Sequence, residues 1–136
     1  MPGILEMLAW YFVFLFSVTL HEAAHAFAAM RGGDSTAYYG GQVSIDPIPH
    51  IRREPFGMLI VPVISLFIIG FPFGYASTPY DPYWADHNPR KAAWMSLAGP
   101  VSNLMLVITS AILIRIGISM HVFGLPDPDN FGYDRI

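Results

Sequence analysis

The sequence predicts an all-α polytopic membrane protein with about three transmembrane helices and a small β-hairpin between the first two. Hydrophobic residues make up 54% of the 136-residue chain and charged residues only 12%, against ~25% charged in an ordinary soluble domain. Residues 4–30, 57–76 and 92–114 form three long apolar stretches with little or no charge. The segment after the first stretch is polar and carries turn residues. The whole chain, 1–136, reads as a single membrane-embedded domain.

Ile4 to Met30 is the first span. Met7 to Leu20 contains no charge, and the full stretch as a helix is ~40 Å long, enough to cross a bilayer with tilt. Glu6 stands where a signal peptide carries basic residues, and the apolar run leads into His and Glu, not a cleavage site, so the span is expected to be retained. In the polar segment Asp34 to Glu54, Thr36 to Tyr39 and Gln42 to Ile45 read as short strands joined by the Gly40-Gly41 turn. The edge of such a hairpin would accept an extended peptide by strand addition, although a hairpin that merely caps the helices fits the residues equally well.

Gly57 to Ala76 is the second uncharged run. Pro62, Pro72, Gly70 and Gly74 predict a kinked crossing. Ala92 to Ile114 is the third, with Gly99-Pro100 near its start and small residues that permit close helix contact. Its amide, Asn103, is expected to hydrogen-bond between helices, with direct substrate contact as the alternative. Tyr80, Tyr83 and Trp84 suit an interfacial aromatic belt. Three crossings put Arg31, Arg52, Arg53, Arg115 and Arg135 on one side and Arg90 and Lys91 on the other. The Arg31 side is then cytoplasmic, in a multi-pass protein of the cell membrane.

The net charge of -3, with seven scattered Lys and Arg, offers no basic surface and argues against nucleic acid as a partner. The absence of cysteine excludes disulfides and thiolate ligands, so a zinc site must use His, Asp or Glu.

His21-Glu22-Ala23-Ala24-His25 places metal-ligand types inside the first span. Residues four apart lie on one helix face about one turn apart, so both imidazoles reach one ion. Glu22 sits beside that ion and is the candidate catalytic base. It would take a proton from a water whose pKa the cation lowers towards ~7. This is the metalloprotease reading of His-Glu-x-x-His. Its alternative is a pair of interior histidines hydrogen-bonded to Glu22 as helix-packing glue. Ionisable side chains in a span cost about 2.5–3.5 kcal/mol on insertion scales and usually mark function, which favours the metal.

Several segments together resemble the site-2 protease family of intramembrane zinc metalloproteases, in particular its compact bacterial and archaeal members. They are His21 to Ala29, Arg31 with Gly33 to Ala37, Asp46-Pro47 with His50 and Phe56-Gly57, Gly74-Tyr75-Ala76 with Pro79, Asn88-Pro89-Arg90, and Ala98 to Leu104. In order and spacing the match runs from about residue 17 to 110. The resemblance implies zinc on His21 and His25 with Glu22 as general base. It also implies an aspartate ligand from a later helix, in an Asn-x-x-Pro…Asp-Gly box. No Asp-Gly occurs here, and Asp34, Asp46, Asp81, Asp86, Asp127, Asp129 and Asp134 all fall outside the expected spans. Two histidines leave a catalytic zinc one protein ligand short. Either the chain is a truncated version of a longer protein or another residue substitutes; Leu125 to Asp129 is a thin candidate. Arg52-Arg53 stands where relatives tend to be acidic, which leaves His50 without a defined role.

The expected activity is hydrolysis of peptide bonds in or near transmembrane segments of membrane proteins, with the lipid bilayer as surroundings. An inactive regulator or scaffold of the same fold is the alternative, supported by the missing ligand. Metal transport, which also uses His-x-x-x-His pairs, would need ionisable residues along the other two spans, and those have none. Oligomeric state is not readable from the sequence.

Overall fold

The computed structural model describes residues 3–124. Contacts divide the chain into two compact units, the first ending at Leu104 and the second beginning at Met105. The helices are α1 (Ile4–Arg31), α2 (Thr36–Tyr39), α3 (Pro47–Arg53), a π-helical turn (Phe56–Ile60) continuing into α4 (Val61–Ile69), α5 (Pro82–His87) and α6 (Pro89–Ser119). The described residues are all-α and contain no strand.

Helices α1 and α6 are long and apolar enough to cross a membrane. Only 11% and 6% of their most apolar stretches are buried, which is unlike the core helix of a soluble protein and suits a helix surrounded by lipid. The short helices begin at residues legible in the sequence. Asp46 and Asp81 each precede a proline at the first helical position and accept from the backbone N–H groups of Ile48 and Tyr83, both at 3.0 Å, combining an N-cap with a proline start.

The expected hairpin does not form. Asp34 accepts from the backbone N–H of Thr36 at 3.0 Å and from its hydroxyl, and this local bonding turns Thr36 to Tyr39 into helix in place of strand. Gly40-Gly41 closes that helical turn: Gly41 has φ +81°, and the Gln42 N–H bonds back to the Ala37 carbonyl at 3.0 Å. No sheet edge is therefore present at 36–45 to receive a peptide.

The middle apolar run is not a long helix. Pro62 lacks an N–H and its ring excludes the normal i−4 bond, which frees the Met58 carbonyl. Tyr11 of α1 satisfies that carbonyl at 2.8 Å, and the turn just before Pro62 widens into the π form. Gly70, in left-handed conformation at φ +73°, ends α4. The chain then returns without helical structure from Phe71 to Tyr80. Ser65 receives the Phe73 N–H at 2.8 Å, Gly57 receives the Tyr75 N–H at 3.0 Å, and Arg53 reaches the Ser77 carbonyl at 3.1 Å. The Gly57–Gly74 contact needs both glycines, since a Cβ on Gly57 would meet the Tyr75 ring at 2.5 Å and one on Gly74 the Phe14 ring at 2.5 Å. The segment thus runs out as helix and comes back without regular structure, so that Glu54 and Ser77, at its two ends, are joined by a 2.6 Å hydrogen bond.

Trp84 is buried with Ala29 and Met95, and its indole donates to the Gly32 carbonyl at 3.0 Å. It is a packing anchor, where the sequence suggested an interfacial belt. In the second unit, the end of α6 is closed by the Val122 N–H on the Gly117 carbonyl at 2.9 Å, with the Phe123 ring against Gly117.

Candidate metal centre

His21 and His25 lie on one face of α1, one turn apart, with their Nε2 atoms 3.0 Å from each other. Helix α6 fixes the other nitrogen of each ring. His25 Nδ1 is 2.6 Å from the Met95 carbonyl, which only accepts, so Nδ1 carries the proton. His21 Nδ1 is hydrogen-bonded to Asn103 Oδ1. The orientation of that amide follows from its other end, where Nδ2 donates to the Ser17 carbonyl and hydroxyl, both at 3.1 Å. The Asn103 oxygen therefore faces His21, and His21 Nδ1 is also the protonated nitrogen. Two Nε2 lone pairs then converge on one point. Uncompensated they repel; a shared cation reconciles them. Ligands on a tetrahedral zinc at ~2.0–2.1 Å lie about 3.3 Å apart, close to the observed spacing. Nδ1 donation to a carbonyl or amide oxygen is the usual support of a metal-bound histidine.

Glu22 completes the cluster: one donor atom from each of His21, Glu22 and His25 lies within 4.8 Å of the others. Glu22 is a buried residue, at 6% exposure, and its carboxylate accepts from the Thr78 hydroxyl at 2.5 Å. The two imidazole Nε2 atoms suit zinc without cysteine, with the Glu22 carboxylate beside them as a base and the third protein ligand of a catalytic zinc still to be supplied. Among the described residues no further His, Asp or Glu joins this group. Gly99 lets α6 close over the histidines, since a Cβ there would lie 2.6 Å from His21 Nε2 and from His25 Cε1. Beside the cluster opens a cleft of about 480 Å³, whose walls include Ala76, Thr78, Tyr80, Ala92 and Met95.

Other residues considered as ligands lie elsewhere. His50 is buried in α3, with Nε2 2.9 Å from the Ser44 carbonyl. Asp34, Asp46 and Asp81 hold helix starts and turns. His87 stacks on Tyr83 at 4.0 Å between ring centroids. The tail candidates Asp127 and Asp129 lie outside the described residues. The sequence singled out His21, Glu22 and His25, which the structure brings together, and the interhelical bonding of Asn103, but gave no sign of Thr78. That residue contacts Glu22 from 56 positions away along an aperiodic segment, and no local signal marks it.

Comparison with known proteins gives the chain a set of relatives. The Bacillus subtilis (strain 168) protein named "Putative zinc metalloprotease YwhC" is 34% identical over 110 residues, 80% of this chain and 45% of that protein. Proteins named "Putative zinc metalloprotease Rip2" are 36% identical over 103 residues in Mycolicibacterium smegmatis and 37% over 98 residues in Mycobacterium tuberculosis. The chain is a homologue of these zinc metalloproteases, of the site-2 protease type. It spans less than half the length of these relatives, 35–45%. No protein-family model matches the chain. No solved structure matches it. The site-2 protease kinship supports a protease role and agrees in chemistry with the convergent imidazoles of α1.

Proposed function

We propose that the chain is the histidine-bearing part of an intramembrane zinc metalloprotease, hydrolysing peptide bonds in or next to membrane-spanning segments of membrane proteins. The observation that carries this reading is the pair of lone-pair-bearing Nε2 atoms aimed at one point beside a buried carboxylate, on a helix long and apolar enough to cross a bilayer. His21 and His25 would hold the ion. Bound there, zinc supplies Lewis-acid polarisation of the scissile carbonyl and acidifies water. Glu22 takes the proton of the attacking water and returns it to the leaving amine. Asn103 and the Met95 carbonyl keep both rings in the tautomer that leaves Nε2 free. The cleft beside Glu22 admits water and an unwound stretch of substrate, whose backbone amides must leave their internal hydrogen bonds before they can react.

In the membrane, α1 and α6 are two crossings, and Phe56 to Tyr80 enters and returns on one side. Arg31, Arg52, Arg53, Arg90 and Lys91 then lie on the same face, and the positive-inside rule makes that face cytoplasmic. The reading is tested with a synthetic single-span peptide carrying a fluorophore and quencher on either side of its apolar stretch. Glu22→Gln should abolish its cleavage, by a factor of at least ~10² as expected for loss of a general base, while leaving zinc bound. Cleavage that survives this substitution removes Glu22 from the mechanism.

A further inference from the structure

We propose that Thr78 is a positioning residue for Glu22. It holds one carboxylate oxygen so that the other is left for the attacking water. This rests on the protease reading above and adds to it a residue from outside the His-Glu-x-x-His segment.

A buried carboxylate with a mobile side chain has to be held by hydrogen bonds, because burial without partners is costly. Here the Thr78 hydroxyl donates to Glu22 Oε2 at 2.5 Å and also lies 3.1 Å from the Glu22 backbone carbonyl. A hydroxyl has one proton, and the shorter contact to the charged oxygen takes it. A threonine can act this way only if its own backbone is fixed, and the neighbouring residues fix it on both sides. Before it, the Tyr75 N–H is bound to the Gly57 carbonyl at 3.0 Å. Ser77 is held by Arg53 through its carbonyl at 3.1 Å and by Glu54 through its hydroxyl at 2.6 Å. After it, Pro79 restricts the backbone, and the Asp81 N–H is held by Asp34 at 2.9 Å. The β-branched side chain adds a stiff χ1. The chain from Gly74 to Asp81 is therefore a braced support that presents one neutral hydroxyl to the base, in the wall of the same cleft.

The test compares wild type, Thr78→Val and Thr78→Ser on the full chain, using the fluorogenic single-span peptide in detergent. Thr78→Val keeps the shape and loses the donor; kcat should fall about 10- to 100-fold, part of the ~10²–10⁴ supplied by a general base, with KM and zinc content unchanged. Thr78→Ser should restore most of kcat. Full kcat in Thr78→Val, a loss matched by equal zinc loss, or failure of serine to rescue would each overturn the proposal. Glu22→Gln separates the two readings: if it still cleaves, the protease mechanism fails, whereas an inactive Glu22→Gln with a fully active Thr78→Val sinks only the role of Thr78. A measurement free of turnover is a double-mutant cycle on the thermal midpoint of the zinc-free chain. Thr78→Val should lower the midpoint more with Glu22 present than in Glu22→Ala, and equal losses would contradict the contact.

Discussion

At the scale of single residues, the candidate centre depends on groups outside the His-Glu-x-x-His segment. Asn103 reads the His21 tautomer through its own tie to Ser17, so Asn103→Ala should weaken zinc binding about 10- to 100-fold, the usual effect of losing a ligand's supporting hydrogen bond. Competition with a chromogenic chelator measures it. Gly99 has a different role. A methyl at that position would overlap both imidazoles, and overpacking of this kind costs about 1–3 kcal/mol. Gly99→Ala should therefore lose both zinc and thermal stability, and a variant that retains both would show that α6 does not close over the histidines. The sequence made the histidines and Glu22 visible because helical spacing is local. Asn103 was visible as an amide in an apolar span, though the group it serves was not. Thr78 was invisible because its contact with Glu22 exists only once the chain has turned back.

At the scale of elements, the short segments between the long helices are set by acidic caps. Burial raises the pKa of Asp34, but hydrogen bonds from the Thr36 hydroxyl and from the Asp81 and Thr36 N–H groups outweigh it. They hold the carboxyl below its ordinary value of 3.8. A carboxylate with a depressed folded pKa stabilises the fold at pH above that ordinary value, and the contribution disappears as pH falls through the folded pKa. Wild type should lose thermal stability on acidification below about pH 4, and Asp34→Ala, already destabilised by about 1–3 kcal/mol through the unpaired Asp81 and Thr36 groups, should lose less over that range. An identical acid profile in the two proteins would remove Asp34 from the account. The proline-led starts at Asp46-Pro47 and Asp81-Pro82 were legible as helix signals. The 36–45 segment was misread because two short runs, Thr36 to Tyr39 and Gln42 to Ile45, around a diglycine suit a hairpin as well as a capped turn, and the Asp34 side chain decided between them. Trp84 looked like an interfacial aromatic because composition does not reveal that Gly32 leaves room beside it.

At the scale of the whole molecule, the main departure from the sequence reading is the middle apolar run. Its length and composition suit a crossing, but Pro62 opens the helix near its start and Gly70 ends α4. The returning irregular segment is stitched to Gly57 and Ser65. Hydropathy counts residues and does not distinguish one long helix from a short helix followed by an irregular return. The two-crossing topology proposed above would put the loops holding Tyr39 and Tyr83, both strongly exposed, on the same side of the bilayer. Single cysteines at these positions in the cysteine-free chain should be labelled by an impermeant reagent only after the membrane is opened. Labelling of one, but not the other, in intact cells would restore a three-span topology.

The central claim is that α1 and α6 together present a metal site, and the most direct measurement is the zinc content of the purified chain in detergent, with His21→Ala as the control. The account predicts about one zinc per folded chain, as for a single catalytic site, and its loss in the control. A folded chain without zinc, or zinc that persists in His21→Ala, would contradict it.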